Sequence, residues 1–454
     1  MGIETQKKND FTKGTMAGNI LKMAAPMTLA LVINVLYSVV DRMYIGHMEG
    51  VGTVALAGIG LTIPIIAVIS AFQSLCSSGG APLCSIARGE GNNKKAELIL
   101  GNAFSLLLIL GVILTAVGLA VKEPVLRAAG ATDNTFEYAD EYMETYLFGT
   151  VFVMIGLGMN AFINAQGFAR TGMLTVLLGA VVNIALDPVF IFVFDMGVRG
   201  AALATIIAQL CSTVWVIGFL TGKKAILKLR LKNLRLSGKV VAKTLSLGVS
   251  GFTMAVTGSA VGILNNAKLQ VLGGDIYISV MAVVNSLREI VIMPNQGITA
   301  GAQPVLGYNY GARRYSRVRD GIKTVFLLSL AVNAFMWILM LALPALFIRI
   351  FNSDPGLLEA GIPGIRIYFM LFVFMALQLT GQCVFTGLGM AKHAVFFSIL
   401  RKGILVIPLI LLLPRLFGLG VNGVFLAEPI SDVLGGCACF ATMYFTVWRK
   451  LEKE

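Results

Sequence analysis

The chain has 454 residues, of which 57% are hydrophobic and 13% are charged, and its formal net charge at pH 7 is +13. Soluble globular domains carry about 25% charged residues, so the composition excludes an ordinary soluble fold and indicates a membrane protein. Two histidines leave almost no material for a zinc centre or a His-based triad, and the six cysteines lack metal-type spacing and are predicted to be free thiols.

Apolar runs long enough to cross a membrane recur along the chain, since a spanning helix needs about 20 apolar residues. The first six are predicted near residues 16–46, 52–78, 97–121, 138–164, 171–194 and 199–221. A second six follow near 240–270, 274–302, 318–351, 362–387, 392–416 and 421–447. We number these spans 1 to 12, and they predict an all-α integral membrane protein with twelve transmembrane helices. The first run lacks a cleavage site and is expected to remain as a helix.

Loop charges predict the orientation of the chain. If the N-terminus is inside, the inward loops hold most of the Lys and Arg residues, as the positive-inside rule requires. The segment 222–239 is basic and contains no acid, and we interpret it as a cytoplasmic linker between an N-lobe, 1–221, and a C-lobe, 240–454. Both termini are then cytoplasmic, in the inner or plasma membrane. The positive charge indicates membrane lipid as a partner and not nucleic acid.

The two lobes share a pattern of glycine and proline. Spans 2 and 8 each end in a Gly-x-x-Pro sequence, with a glycine seven residues beyond the proline. The matching pairs are Gly79 and Gly301, Pro82 and Pro304, Gly89 and Gly311, Pro188 and Pro408, and Gly200 and Gly423. Two six-helix repeats of the same orientation predict lobes related by a pseudo-two-fold axis along the membrane normal, around a cavity that opens alternately to the two sides.

Acidic residues inside the N-lobe spans need a partner or a function, because an Asp at the bilayer centre costs about 2.5–3.5 kcal/mol. Asp41 in span 1, Asp187 in span 5 and Thr205 in span 6 lie at similar depths below the outer ends of their helices. Asn183 shares the helix face of Asp187. These hard oxygens suit Na⁺ or a shared proton, and repulsion between the carboxylates would be removed when a cation binds.

Two prolines lie in the spans that carry these acids. Pro26 in span 1 and Pro188 in span 5 provide points where the helices can bend when the cation binds. The same polar residues also fit a structural cluster that only holds helices together. Both interpretations are open at the level of sequence.

The C-lobe has a different set of charges. Arg401 and Lys402 in span 11 and Asp432 in span 12 lie at depths that allow a neutralising pair. Glu428 takes the place of Thr205 in the second repeat, and Arg288 in span 8 either lines the cavity or pairs with neighbours. Whether Arg401, Lys402, Glu428 or Asp432 take part in transport is left open.

No nucleotide-binding loop is present, so uphill transport would use an ion gradient. A membrane enzyme would need a nucleophile with a base or a metal cluster, and the sequence has neither. A receptor without transport activity remains an alternative.

The whole chain resembles the multidrug and toxin extrusion (MATE) family, and its DinF-like and MepA-like branches in particular. The resemblance is carried by Pro26 with Asp41, the stretches 183–188 and 200–205, and the signatures at Pro82 and Pro304. It implies a secondary active antiporter, and no enzyme, that exports amphipathic or cationic drugs or other toxic organic compounds in exchange for H⁺ or Na⁺. No cofactor is implied, and a monomer is expected. A flippase for lipid-linked oligosaccharides, from the same superfamily, is the alternative.

The resemblance also implies roles for particular residues. The cation site is matched residue by residue, and its members would be metal ligands if the ion is Na⁺: Asp41, Asn183, Asp187 and Thr205. A supporting polar network would comprise Tyr37, Tyr142 and Asn160. A substrate cavity would include Asn34, Asn266, Met281, Asn285, Gln296 and Gln378. The acidic C-lobe site of some branches of the family is absent, since span 7 has no acid.

Overall fold

The computed structural model describes residues 9–351 and 354–452, and every regular element in these residues is helical. The helices of the first half are α1 (Met16–Gly46), α2 (Gly52–Gly60), α3 (Ile63–Gly89), α4 (Asn93–Ala128), α5 (Asp133–Phe148), α6 (Thr150–Ala165), α7 (Ala169–Pro188) and α8 (Gly197–Thr221). Those of the second half are α9 (Gly238–Gly273), α10 (Asp275–Gly311), α11 (Tyr315–Ala342), α12 (Pro344–Phe351), α13 (Pro355–Phe369), α14 (Met375–Gly387), α15 (Ala391–Ile399), α16 (Ile407–Leu412), α17 (Val421–Met443) and α18 (Arg449–Leu451). Stretches of π-helix follow α7, α15 and α17, at Val189–Val193, Leu400–Val406 and Tyr444–Trp448.

The number of membrane-spanning helices agrees with the predicted fold class. In the described residues, 11 helices are long and apolar enough to cross a membrane, and there are 12 if the bent pair α5 and α6 forms one span. That pair bends by 58°, so predicted span 4 is a broken helix. The prediction of an all-α protein with about twelve spans is confirmed.

Several predicted span boundaries differ from the structure, and those of spans 2 and 8 bear on the repeat. The apolar run predicts span 2 at 52–78, but α2 ends at Gly60 and a separate helix, α3, continues through Pro82 to Gly89. In the second half, α10 likewise continues through Pro304 to Gly311. Neighbouring helices and local adjustments can satisfy the backbone groups that a proline frees, so the proline does not end the helix. The glycine seven residues beyond each proline is the last helical residue.

The described chain forms two compact units. Unit 1 contains Asn9, Asp10 and residues 25–248, and unit 2 contains residues 11–24 and the described residues from 249 onward. Each unit has its own hydrophobic core. The divisions fall inside α1, between Ala24 and Ala25, and inside α9, between Gly248 and Val249. They therefore differ from the predicted lobe limits at residues 221 and 240.

Glycines explain where these divisions fall. A Cβ atom on Gly79 of α3 would collide with the backbone of Thr244 in α9, inside unit 1. A Cβ on Gly301 of α10 would lie 2.6 Å from the backbone nitrogen of Ala24 in α1, inside unit 2. The N-terminal parts of α9 and α1 thus pack at equivalent glycines, as expected for two copies of one repeat.

The basic segment before α9 is packed against unit 1. Glu97 of α4 accepts a hydrogen bond from the backbone of Lys228 at 3.2 Å and forms an ion pair with Arg230 at 3.0 Å. Gln166, after α6, accepts a hydrogen bond from the backbone of Leu227 at 2.8 Å. These buried acceptors satisfy a backbone without regular structure, so the segment is a fixed part of unit 1.

Candidate functional site

The structure brings together the four residues predicted to bind a cation, all within unit 1. Asn183 and Asp187 lie one turn apart on α7, Thr205 lies on α8 and Asp41 on α1. The carboxyl groups of Asp41 and Asp187 are within hydrogen-bonding reach of each other. Asp187 has no exposed surface and Asn183 is 2% exposed, whereas Asp41 and Thr205 are half-buried. We call these four residues the carboxylate cluster.

The amide of Asn183 links the two helices of the cluster. Its Nδ2 donates to Oδ1 of Asp187 at 3.1 Å and to Oγ1 of Thr205 at 3.4 Å. Since the i, i+4 spacing places Asn183 and Asp187 on one face of α7, the amide meets both partners at once. This arrangement holds one Asp187 oxygen in a defined position.

Three buried oxygens of the cluster remain without a hydrogen-bond partner among the described residues. They are Oδ1 of Asp41, Oδ1 of Asn183 and Oδ2 of Asp187. Buried polar groups are normally paired, because leaving one unpaired costs about 1–3 kcal/mol. These three unpaired oxygens, two from carboxyl groups and one from an amide, form an oxygen-rich position with the chemistry to hold a proton or a hard cation such as Na⁺.

Small residues at the start of α8 allow this close approach. A Cβ on Gly200 would lie 2.8 Å from the carbonyl oxygen of Phe190, in the π-helical turn after α7. Ala201, Ala202 and Ala204 have no exposed surface. Residues without large side chains let two helix backbones pack closely, and Thr205 is thereby brought to Asn183. In unit 2, Gly423 makes the equivalent approach to the backbone before α17.

The two predicted bending points differ in the structure. At Pro188 the α-helical pattern of α7 ends and a π-helical turn begins. Proline removes a backbone donor, and π-helical turns are frequent at functional sites. Helix α1, by contrast, runs without interruption through Pro26. Local helix irregularity thus occurs directly after Asp187 and not near Asp41.

The structure includes Tyr142 in the polar network, but not Asn160. The Tyr142 side chain lies within hydrogen-bonding reach of Thr205 and stacks on Tyr146, with ring centroids 6.1 Å apart. Asn160 instead donates to the carbonyl of Gly172 at 3.1 Å. Gly172 precedes Asn183 by eleven residues, about 16 Å along the helix, so Asn160 is bound well away from the carboxylate cluster.

A cleft within unit 1 leads to the cluster. Tyr37 and Asn34, both predicted site residues, line it together with Asn183 and Thr205. The cleft also contains polar side chains that the sequence pattern did not single out: Thr175, Gln209 and Ser212. Gln209 lies one turn after Thr205, and this i, i+4 spacing places both residues on the same face of α8.

The other predicted cavity residues fall into two groups. Asn266, Asn285 and Gln296 are exposed. Met281 has no exposed surface and Gln378 is 4% exposed. In this structure the side chains of Met281 and Gln378 are packed in the interior of unit 2, and a place for them in a substrate cavity stays a prediction.

Unit 2 contains a group of charges that we call the charge cluster: the buried residues Arg401, Lys402, Glu428 and Asp432, and Arg288, which is half-buried. Arg401 pairs with Asp432 at 2.5 Å, and Lys402 pairs with Glu428. Arg401 and Lys402 belong to the π-helical stretch after α15, whereas both acids lie one turn apart on α17. The neutralising pair that was predicted from the similar depths of Arg401, Lys402 and Asp432 in the membrane is present.

Comparison with known proteins agrees with this architecture. The MatE family model matches residues 26–189 and again residues 250–412. The multidrug export protein MepA of Staphylococcus saprophyticus is 25% identical over 443 residues, which cover 96% of this chain and 95% of that protein. MepA of Staphylococcus haemolyticus is 25% identical over 435 residues, covering 95% and 93%.

Solved structures share the fold. A MATE crystal structure in a bent conformation superimposes with a TM-score of 0.92 at 21% identity and covers 100% of this chain and 98% of its own. One in a straight conformation has a TM-score of 0.88 at 22% identity and covers 98% and 99%. Because the family model accounts for well over half of the sequence, in two successive matches, this chain belongs to the MatE family of membrane transporters.

Proposed function

We propose that this multi-pass membrane protein exports amphipathic, mainly cationic organic compounds in exchange for H⁺ or Na⁺ bound at the carboxylate cluster. The MepA proteins that align over nearly the whole chain are multidrug export proteins, which supports the substrate class. The ion-coupled step is supported by the composition and burial of the cluster.

The observation that carries the proposal is the pair of carboxyl groups with unpaired buried oxygens. Asp41 and Asp187 are within reach of each other, and each has an oxygen without a partner among the described residues. Two adjacent carboxylates cannot both remain charged and unneutralised in a site shielded from water. A bound proton or cation removes the repulsion between the two carboxylates, and its release restores that repulsion.

This cycle can be coupled to helix movement. Asp187, Asn183 and Thr205 are joined by hydrogen bonds between α7 and α8, whereas Asp41 comes from α1. Cation binding favours a conformation in which Asp41 is held against α7, and cation release leaves two like charges that favour its separation. The transition at Pro188 provides a local weak point for such movement. A difference in cation affinity between the two conformations would drive transport.

The contacts in unit 2 support the proposal that the coupling cation binds in unit 1 and not in unit 2. At the position equivalent to Thr205, unit 2 has Glu428, which pairs with the ammonium group of Lys402. The chain itself thus supplies the cation there. Arg401 is likewise engaged by Asp432, so these two basic residues are not available to bind a large polyanionic substrate such as a lipid-linked oligosaccharide.

The test is dye transport by purified protein in proteoliposomes, under an imposed proton or sodium gradient. Asp41→Asn keeps the size of the side chain and removes its charge, so we expect transport to fall to the level of protein-free liposomes. Asp195→Asn is the matched control, because Asp195 is exposed and lies outside the cluster. It should transport like the parent. Transport by Asp41→Asn at the parent rate would contradict the proposal.

The coupling ion is determined in the same system. Flux is measured under a sodium gradient with pH clamped, and then under a pH gradient without sodium. The gradient that drives uptake identifies the ion. Uptake at the same rate with and without each gradient excludes ion-coupled transport. We further propose that the protein acts as a monomer, with both termini and the basic segment at the cytoplasmic face.

A further inference from the structure

Unit 1 has a groove between α5 and α8 that the proposed transport cycle does not use. The two helices pack against each other, and the cavity between them has a volume of 530 Å³, within the range of about 300–1,000 Å³ that is usual for small-molecule sites. It shares no lining residue with the cleft that leads to the carboxylate cluster. We call it the outer groove, because the proposed orientation places the first turns of both helices at the outer face.

The outer groove has charged residues at one end. Glu141 and Glu144 of α5 and Arg199 of α8 line it. Glu144 shares Lys122 with Asp140, at 2.5 Å and 2.8 Å, and Arg199 acts on Glu144 only from beyond ion-pair distance. Neither Glu141 nor Arg199 forms an ion pair within the described part of the chain, and both are exposed. One carboxylate and one guanidinium are thus available to a ligand.

The wall formed by α8 becomes apolar toward the membrane interior. The face that begins with Arg199 continues, at i+4, i+7 and i+11, with Leu203, Ile206 and Leu210. Leu210 and the next residue of this face, Val214, are exposed. From Arg199 to Val214 the helix rises by about 22 Å, more than half of a hydrocarbon core about 30 Å thick. An apolar stripe therefore leads from the charged end to the middle of the bilayer.

The wall formed by α5 has the same order of residues. Seven residues after Glu141, on the same helix face, Phe148 lines the groove and is 62% exposed. The chain then bends by 58° into α6. At this bend a Cβ on Gly149 would lie 2.3 Å from Cγ1 of Ile206, so the backbone packs directly on α8 below the charges. Both walls thus combine a charged outer end with an apolar inner end, as an amphipathic ligand requires.

We propose that the outer groove binds a zwitterionic phospholipid of the outer leaflet. Its phosphate would pair with Arg199, its ammonium group with Glu141, and one acyl chain would lie along the apolar stripe of α8. A guanidinium fits a phosphate through two parallel hydrogen bonds, and a carboxylate accepts hydrogen bonds from a primary ammonium group. These requirements identify phosphatidylethanolamine.

Other common phospholipids fit the charges less well. Phosphatidylcholine has the same phosphate, but its quaternary ammonium group has no N–H donor for Glu141. Phosphatidylglycerol has no positive group, and the three acids at this end of the groove outnumber its two basic residues, so an anionic headgroup is disfavoured. The inference uses the proposed orientation only to assign the leaflet. It does not depend on the coupling ion or on the exported compound.

The test measures lipid binding to the purified full-length protein in detergent by native mass spectrometry. Phosphatidylethanolamine, phosphatidylcholine and phosphatidylglycerol with identical acyl chains are compared. The parent should bind the first phosphatidylethanolamine about tenfold more tightly than either other lipid. Glu141→Gln should remove this preference over phosphatidylcholine, whereas Arg199→Gln should weaken binding of both by about tenfold, because both contain the phosphate.

Two control variants remove the same charges elsewhere. Glu49→Gln and Arg415→Gln change exposed residues that do not line the outer groove, so both should bind the three lipids like the parent. Because Glu141 and Arg199 are exposed as well, the unfolding midpoints of all four variants without added lipid should stay near that of the parent. Weaker lipid binding would then not reflect a damaged fold.

The position of the lipid is tested by fluorescence. Phe148→Trp, in a variant whose three native tryptophans are replaced by Phe, places a single reporter on the wall of the groove. In phosphatidylcholine bilayers, a minor fraction of phosphatidylethanolamine with brominated acyl chains should quench this reporter more than the same fraction of brominated phosphatidylcholine. Glu141→Gln should remove the difference.

The contradicting outcomes are distinct. Equal affinity of the parent for the three lipids, an unchanged preference in Glu141→Gln, unchanged binding in Arg199→Gln or equal quenching by both brominated lipids overturns the proposal. Displacement by an equal concentration of glycerophosphoethanolamine also overturns it, because that would identify a site for a soluble headgroup. Failure of the proposed export would appear instead in the Asp41→Asn and gradient experiments, which lipid binding in detergent does not involve.

Discussion

Asp187 and Glu428 show two ways in which a transporter accommodates a buried carboxylate. Asp187 lies beside Asp41 and has an oxygen without a partner among the described residues. Glu428 is paired with Lys402, which the chain provides permanently. A site whose counter-charge must come from outside can alternate between two states, whereas a site with a fixed cation cannot. We therefore expect the two acids to differ in function although both are buried.

We predict that Glu428→Gln destabilises the protein strongly. The substitution leaves Lys402 buried without its counter-charge and removes the carboxylate that lies 3.9 Å from Arg288. Breaking a buried pair by removing one partner typically costs about 3–5 kcal/mol. The thermal unfolding midpoint of the purified protein in detergent should fall markedly, and it should recover in the double variant with Lys402→Met.

The matched control for this prediction is Glu452→Gln. Glu452 pairs with Arg319 at 3.1 Å, but its side chain is 54% exposed, and water screens such a pair. Its unfolding midpoint should equal that of the parent. A similar midpoint for Glu428→Gln and Glu452→Gln would show that the charge cluster does not stabilise unit 2.

At the scale of helices, the position of the carboxylate cluster depends on how closely α7 and α8 pack. The approach of Gly200 to Phe190 sets the spacing where α7 ends and α8 begins. Asn183 then reaches Thr205 at 3.4 Å, close to the limit of a hydrogen bond. A small increase in helix separation would therefore break this link before it disturbed the rest of unit 1.

We predict that Gly200→Ala lowers both stability and transport. The added Cβ would lie 2.8 Å from the Phe190 carbonyl, so α8 must shift, and overpacking of this kind costs about 1–3 kcal/mol. The dye transport rate should fall with the unfolding midpoint. Gly218→Ala, in the same helix, is the control, because no atom lies within 4 Å of its added Cβ. If both variants behave alike, the close approach of the two helices is not important for the site.

At the scale of the whole molecule, two successive copies of one helical repeat have different chemistry. The MatE model matches both halves, and equivalent glycines make equivalent close contacts in the two units. Helix α8 carries Thr205 and Gln209, while the matching positions of α17 carry Glu428 and Asp432. The two copies thus share the glycines that allow close packing, because packing depends on how closely the backbones approach. They differ in these polar residues, because the chemistry of a site depends on its side chains.

The proposed orientation leads to a prediction about labelling in cells. In a variant without the six native cysteines, Asn134→Cys should react with a membrane-impermeant maleimide in intact cells, because the acidic connection near α5 is placed outside. Lys232→Cys, in the basic segment, should react only after permeabilisation. Both native side chains are exposed in the structure, so poor access within the protein would not explain a difference. The reverse labelling pattern would contradict the proposed topology.

Sequence alone determined the fold class, the number of spans, the repeat and the candidate cation residues. Each of these follows from local properties: the length of apolar runs, the positions of glycine and proline, and the cost of an acid in lipid. For example, the i, i+4 spacing of Asn183 and Asp187 is enough to place both on one face of a helix, because the α-helix repeats every 3.6 residues.

Only the tertiary structure decided which polar groups meet and which remain unpaired. It placed Asp41 beside Asp187, bound Asn160 to Gly172 far from them, and joined Lys402 to Glu428 and Arg401 to Asp432. It also showed that α3 and α10 continue through their prolines. These outcomes depend on helix rotation and on contacts between residues distant in sequence, and neither composition nor periodicity specifies such contacts.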